Sequence, residues 1–453
     1  MMKHLGIEVR LKNVPALDKN FLPLSLFRRG FLKTAKQPVS ICVERDNGQR
    51  AIHDTFITGE NKAADRYFIE RTVKTLLWIK GGYKIAICGD DGLAAYIKET
   101  YGKGGKRAFD NQFMSRVYER EFEVISLPLS EKPARNEQSK PIGGNLAGCR
   151  IGFDAGGSDR KVSAVVDGKP VYSEEVVWHP KTAPDPDYHF DGIVSALKTA
   201  AGKMPRVDAI GVSSAGIYIN NRTMAASLFL KVPGDVFDQK VKDIYIRAAK
   251  EIGDIPLQVV NDGDVTALAG AMELSSNNVL GIAMGTSQAG GFVDGAGNIT
   301  GWLNELAFVP VDAYGGAMQD EWSGDIGCGV KYFSQDGVIK LAENAGIVFP
   351  AGLTPGEKLK SVQGMLDDND PQAADIFLSI GCYMGHALPY YQEFYGFDHV
   401  LLLGRVMSGK GGDMIVSAAK QVLEEEYPGY RFGIHIPDEH SRRVGQSVAA
   451  ASL

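Results

Sequence analysis

The sequence predicts an α/β protein made of two lobes around a cleft, preceded by an N-terminal α/β extension. Three observations predict it. At 453 residues the chain is too long for one ordinary domain and suggests two or three. A strand–glycine turn–strand pattern occurs twice, in "CRIGFDAGGSDRKVSAVVDGKPVYSEEVV" and in "NVLGIAMGTSQAGGFVDGAGNIT", and each copy opens a separate segment. Behind each copy, helical and strand-like apolar runs alternate, which is the order of an α/β fold.

Residues 1–127 form the extension. In it "PVSICVERDNGQRAIHDTFI" reads as two strands joined at Asn47-Gly48, a favoured hairpin turn. "NKAADRYFIERTVKTLLWIK" has helical apolar spacing with Asn61 as its cap, "YKIAIC" is a short buried strand, and "DGLAAYIKETY" is a helix. No helix-turn-helix signature occurs there. Residues 128–147 are rich in Pro, charge and Gly and read as a linker. The first lobe, 148–275, opens with three antiparallel strands turning at Gly156-Gly157 and at Asp167-Gly168. It continues with a helix in "DGIVSALKTAAGKM", a strand and loop in "VDAIGVSSAG", a helix in "DQKVKDIYIRAAKEIG" and a strand in "PLQVVND". The second lobe, 276–437, restarts with three strands, passes through helical segments, and reaches strand, glycine loop and helix in "HVLLLGRVMSGKGGDMIVSAAKQVL". A final helix within 438–453 is expected to return to the first lobe.

Composition narrows the function classes. With 44% hydrophobic and 23% charged residues the chain reads as a soluble globular protein with an ample core. No apolar run approaches the roughly 18 residues of a membrane span, so no membrane partner is expected. The N-terminus has no secretory apolar region, and a cytoplasmic location is expected. Cys42, Cys88, Cys149, Cys328 and Cys382 are scattered and never in a CxxC, which argues against a disulfide framework or a cysteine-rich metal site. Residues 1–150 carry 26 Lys and Arg against 17 Asp and Glu, and the remainder 23 against 38. The basic excess forms no tight block, so nucleic acid is not an expected partner.

Three short stretches carry chemistry. In "FDAGGSD", Asp154 ends a strand, Gly156 and Gly157 permit a tight turn whose N–H groups can face an anion, and Ser158 adds a hydroxyl. Asp154 suits Mg²⁺ held through water, because Mg²⁺ keeps much of its hydration. "AMGTSQAGG" repeats the device with Gly285, Thr286 and Ser287. Either turn alone is also compatible with an ordinary glycine hairpin; two, each opening a lobe, suit a polyphosphate clamped from both sides. "MSGKGGD" lacks the Ser or Thr of a P-loop, and no GxGxxG stands between a strand and a helix. In "VVNDGD", two β-formers deliver Asn261 and Asp262, a carboxylate placed to take a hydroxyl proton beside an amide that can donate and accept. A plain strand-to-helix turn is the alternative.

Taken together these residues resemble the ROK family of sugar kinases and repressors, within the actin/hexokinase/Hsp70 superfamily. "GFDAGGSD" looks like the family's first phosphate loop, and "GTSQAGGFVDGAGNITG" is similar to the second. "VVNDGD" aligns with E-N-D-A-N, "NELAFVPV" resembles E-x-G-H-x-P-V, and "LLLGRVMSG" stands where the adenosine loop belongs. The resemblance covers about 150–453. It implies two ribonuclease-H-like lobes, ATP and Mg²⁺ as cofactors, a small-molecule sugar substrate and a homodimer. It implies Asp262 as catalytic base, Asn261 and Glu305 at the sugar, Gly156, Gly157, Ser158, Gly285, Thr286 and Ser287 at the phosphates, and Gly404 and Arg405 at the adenosine. "IGVSSAGIYINN" resembles the family's segment beside the sugar and nominates Ser214, Gly216 and Asn220.

The departures from the pattern matter as well. Val260 replaces a Glu, Asp264 replaces an Asn, and Phe308 stands where a sugar-contacting, zinc-binding His belongs. Of the zinc knuckle only "GDIGC" survives, ending in Cys328, so no zinc is expected. Phe308 is equally compatible with a core position, and Trp322 in "DEWSGD" with the pocket or with a packed lid loop. The leading expectation is an ATP-dependent sugar kinase. The alternatives are a non-catalytic sugar sensor or transcriptional regulator of the same family, and an activator ATPase of the dehydratase type, which lacks support from the cysteine spacing.

Overall fold

The structure is a computed structural model and describes residues 2–437 and 446–453. The N-terminal unit opens with a short hairpin, β1 (Met2–His4) and β2 (Ile7–Val9), and helix α1 (Leu24–Leu32). It continues through β3 (Gln37–Glu44), β4 (Arg50–Ile57), α2 (Lys62–Lys80), β5 (Lys84–Cys88), α3 (Asp91–Thr100), α4 (Ala108–Tyr118) and β6 (Glu123–Leu127). The sheet order is β4-β3-β5-β6, with β3 antiparallel to both neighbours and β5 parallel to β6. Asn47 and Gly48 both take positive φ, 55° and 67°, as the β3–β4 turn requires. Asn61 caps α2 by accepting the Ala64 N–H.

The first lobe contains β7 (Cys149–Ala155), β8 (Asp159–Val166), β9 (Lys169–Val177), α5 (Pro186–Ala201), β10 (Ala209–Ser214), β11 (Ile217–Ile219), β12 (Arg222–Ala225), the single turn α6 (Gly234–Val236), α7 (Ile244–Lys250) and β13 (Leu257–Asn261). Its sheet order is β13-β10-β7-β8-β9, antiparallel across β7–β8–β9 and parallel across β7–β10–β13. The helix expected over "DQKVKDIYIRAAKEIG" is broken. Lys242 donates to the Phe237 carbonyl five residues back, and its own carbonyl is taken by the Thr223 N–H next to β12 instead of continuing the helix.

Helix α8 (Asp262–Leu274) leads into the second lobe, with β14 (Val279–Met284), β15 (Gln288–Val293), α9 (Gln335–Asn344), α10 (Pro355–Asp367), α11 (Pro371–Tyr395), β16 (His399–Leu403), α12 (Lys410–Glu426) and β17 (Gly433–His435). The order β15-β14-β16-β17 repeats the first lobe's plan, an antiparallel hairpin followed by parallel strands. The third strand expected after β15 does not form. Ile299 makes only single bridges, to Val293 and Lys140, and the chain then turns away so that Asn304 and Glu305 donate to the Ile79 and Trp78 carbonyls at the end of α2.

Among the described residues the expected C-terminal helix is seen over 446–451; residues 438–445, which the expectation also included, lie outside the described residues. This helix lies on the first-lobe sheet, where Arg150 Nε donates to the Ala451 carbonyl at 2.6 Å. A Cβ at Gly211 of β10 would stand 1.7 Å from the Ala450 carbonyl oxygen, so only glycine permits the approach.

The N-terminal unit is continuous with the second lobe. One apolar core runs from Phe27, Phe68 and Leu77 into Leu306, Ile376 and Tyr391, whereas the first lobe has its own core around Ile151, Val212 and Tyr245. Within the joint core lies an ionic cluster of Glu70, Arg71, Lys74, Arg107 and Asp110 with Asp325 of the second lobe. Among the described residues no helix is long and apolar enough to cross a membrane.

Candidate active site

The strand β13 ends at Asn261, which caps α8 through its side chain, so Asp262 is the first residue of a helix between the two sheets. The Asn261 Oδ1 accepts the Gly263 N–H at 2.7 Å and its Nδ2 donates to the Gly216 carbonyl at 2.7 Å. The Asp262 carboxylate also accepts from Gly263, at 3.0 Å, and sits in the positive end of the helix. Gly263 is dictated by space: a Cβ there would lie 2.2 Å from the Gly290 carbonyl oxygen of β15.

Asp154 is the penultimate residue of β7, pairing in register with Ser213 on β10, and its Oδ1 accepts the Ser213 hydroxyl at 2.8 Å. Burial pushes its carboxyl up to about 6; the Ser213 bond opposes this and the Asp262 charge adds to it. Burial raises Asp262 as well, against its helix-end N–H bonds and the Lys181 ammonium. Glu305 is pushed up to about 7 by burial and by the charges of Asp262 and Asp264. These electrostatic couplings put Asp154 and Glu305 within the field of Asp262.

The two glycine turns leave backbone donors without a protein acceptor among the described residues. The Gly156 carbonyl accepts from Trp178 Nε1 at 2.7 Å and the Ser158 carbonyl from the Trp178 N–H, while the N–H groups of Gly157 and Ser158 have no protein acceptor among the described residues. Likewise the Gly285 carbonyl accepts from Gln335 and its N–H is used by Ser287, leaving the exposed N–H groups of Thr286 and Ser287 open. This is an arrangement that can receive phosphate oxygens. Gly404, with φ of 102°, brings the end of β16 against Met284, beside the second turn. Arg405 is exposed, and its carbonyl accepts from Gln363.

A cavity of about 80 Å³ lies between the lobes and the N-terminal unit. Gly216, Asn220 and Asn261 line it, and so do Arg45 and Tyr118. Asn220 and Asn221 are the two positive-φ residues of the β11–β12 hairpin, and Asn221 ties it to β13 by accepting from Val259 and donating to Leu257. Ser214 is not part of this lining. Its side chain is fully buried in the first lobe and accepts the Tyr245 hydroxyl at 2.9 Å, because strand alternation turns it away from the face that Ser213 occupies.

The departures from the motif pattern have structural roles. Asp264 accepts the Phe292 N–H at 3.0 Å and Asn304 Nδ2 at 2.8 Å, which ties α8 to β15; burial pushes it up to about 7. Phe308 packs on Trp78, ring centroids 4.1 Å apart, and against Phe109 at 5.8 Å, so it is a packing residue held by the N-terminal unit. Trp322 is 69% exposed, neither packed nor in the cavity. Cys328 is buried beside Lys74 and Asp325, and burial pushes its thiol up.

Sequence reasoning missed Lys181, Arg45 and Tyr118. The Lys181 side chain crosses the first turn: a Cβ on Gly157 would stand 2.9 Å from its Nζ. Its ammonium lowers the Asp262 carboxyl. It follows β9 in a Pro-rich loop, a setting with no motif signal.

No protein-family model matches the sequence, and no curated protein is similar to it. Solved structures do share its fold. A ROK family glucokinase from Streptomyces griseus, in complex with glucose and AMPPNP, superposes with a TM-score of 0.51 at 19% identity, over 67% of this chain and 98% of that one. The ROK hexokinase from Thermus thermophilus gives 0.53 at 19%, over 67% and 96%. A ROK family transcriptional regulator, a homologue of the E. coli MLC protein, gives 0.51 at 16%, over 71% and 82%. The fold is therefore a two-lobe α/β architecture. Within it, the fold is the one shared by ROK-family sugar kinases and regulators.

Proposed function

We propose that the protein is an ATP-dependent kinase acting on a hydroxyl of a sugar or sugar-like polyol. The observation that carries this reading is the position of Asp262 at the start of α8, capped by Asn261, where its charge acts on Asp154 and Glu305. Asp262 takes the proton of the attacking hydroxyl; its raised pKa makes it a stronger base than a surface carboxylate. The open N–H groups of the 156–158 and 285–287 turns hold the phosphates, and Lys181 adds a cation where charge develops. Asp154 is the residue that would hold Mg²⁺ through water, and the ion would supply charge neutralisation on the polyphosphate. Asn261 and Glu305 orient the sugar, and closure of the lobes excludes water.

A non-catalytic sugar-responsive regulator is the other reading, since one neighbour in fold is a regulator. Against it, the N-terminal unit is built on a four-stranded sheet and shares its core with the second lobe. An ADP-release screen over hexoses, N-acetylhexosamines and polyols, with and without Mg²⁺, separates the two. Mg²⁺-dependent ADP release with a sugar supports the kinase; sugar binding without release favours the regulator.

A further inference from the structure

Arg45 is 2% exposed, yet among the described residues no carboxylate lies within ion-pairing distance of it. Its Nη1 donates to the Gly301 carbonyl at 3.0 Å, and its Nη2 to Gln49 Oε1 at 2.6 Å and to the Thr300 carbonyl at 3.4 Å. Its Nε is buried with no acceptor at all. Arginine cannot shed its proton inside a protein, so this is a buried charge held only by neutral groups, a costly arrangement. A residue needed only to tie the β3–β4 turn to the 299–303 segment would not have to be charged.

Arg45 lines the same cavity as Asn261 and Asn220. Tyr118, at the end of α4, lines it too, and its hydroxyl makes no hydrogen bond among the described residues. Lys140 adds a second cation to the wall. Lys80 lies near enough to feel the uncompensated charge: burial drives its ammonium down to about 7, Glu137 opposes this, and Arg45 deepens it. The acids on the lining are Asp46, at the exposed turn, and Asp264, whose raised pKa leaves it only partly ionised at neutral pH. At about 80 Å³ the cavity has room for a few waters.

We propose that the N-terminal unit completes the substrate pocket and that Arg45, with the Tyr118 hydroxyl, recognises an anionic group on the sugar, so that the substrate is a sugar acid or another anionic monosaccharide. This rests on the kinase reading of the cleft and deepens it. Arginine pairs strongly with carboxylate and phosphate oxygens, and the Arg45 charge has no such partner among the described residues.

The test is calorimetric binding to the full-length protein, with D-gluconate, D-glucuronate and glucose 6-phosphate as anionic probes and glucose and sorbitol as neutral ones. At least one anionic probe is expected to bind about 10-fold or more tightly than its neutral parent, the usual scale of a buried charge-assisted bond. Arg45→Met should bring that ratio towards one. Tyr118→Phe, which removes a single oxygen, should lower it about 2- to 10-fold and serves if the Arg45 variant does not fold. Carboxylate and phosphate probes identify which anion is read. The proposal is overturned if neutral sugars bind as tightly as every anionic probe, or if the preference survives in both variants. ADP release with neutral sugars alone overturns it and leaves the kinase reading standing. Absence of both sugar binding and ADP release removes the kinase reading, and this proposal with it.

Discussion

Replacing Asp325 by Asn tests whether the N-terminal unit is welded to the second lobe. Glu70, Arg71, Lys74, Arg107, Asp110 and Asp325 form a buried cluster of three cations and three carboxylates. Asp325 is 1% exposed and accepts from Arg71 at 2.8 Å and Arg107 at 2.7 Å, with Lys74 Nζ at 3.5 Å. Burial disfavours its ionised form, but Arg71 and Lys74 outweigh burial and hold the carboxyl below its ordinary range. Asparagine keeps the shape and leaves one cation uncompensated, which costs about 3–5 kcal/mol for a buried pair broken on one side. Urea unfolding followed by tryptophan fluorescence reads this directly, since Trp78 Nε1 donates to Asp110 in the same cluster. Adding Lys74→Met to the variant should recover part of the loss. Because the folded pKa of Asp325 is depressed, its contribution is full above the unfolded value of about 3.9 and disappears as pH falls through the folded one. Wild type and variant therefore converge in strong acid. A cost below about 1 kcal/mol at pH 7, the scale of an exposed pair, would refute the reasoning.

Three further outcomes follow from the geometry. Gly211→Ala should displace the C-terminal helix from the first-lobe sheet and lower stability by about 1–3 kcal/mol, read from the melting temperature; an unchanged melting temperature counts against that packing. Glu305→Gln should raise the melting temperature at pH 8 and leave it unchanged at pH 4. A carboxyl whose folded pKa is raised to about 7 costs stability as pH climbs from its unfolded value through 7, and glutamine removes that cost. Equal effects at both pH values would contradict it. Lys181→Met should lower turnover by about 100-fold with little change in nucleotide affinity, the scale of one lost donor to developing charge; steady-state kinetics and nucleotide titration check it.

Much of this fold was legible because local chemistry and tertiary structure agree. The Asn47-Gly48 turn, the Asn61 cap and the glycine turns at 156–157 and 285–287 all stand where turn and cap preferences put them. The failures have physical causes. The third strand after β15 was read from "GNIT", but pairing with α2 carbonyls draws that segment away from the sheet. Ser214 was nominated by the resemblance of "IGVSSAGIYINN" to a segment beside the sugar, but on β10 Ser213 and Ser214 face opposite sides and Ser214 bonds Tyr245. The union of residues 1–127 with the second lobe is long-range: Trp78 meets Phe308 across 230 positions, and no pattern within either segment encodes the partner. Arg45 and Lys181 were invisible for the same reason, since each becomes notable only through what the fold leaves unpaired around it or places beside it.

The central claim is that Asp262 is the base of a phosphoryl transfer to a sugar hydroxyl. Asp262→Asn, assayed by Mg²⁺-dependent ADP release with the best sugar from the screen, tests it most directly. The account predicts turnover lower by about 10²–10⁴, with the melting temperature and nucleotide binding retained. Near-normal turnover in that variant would contradict it.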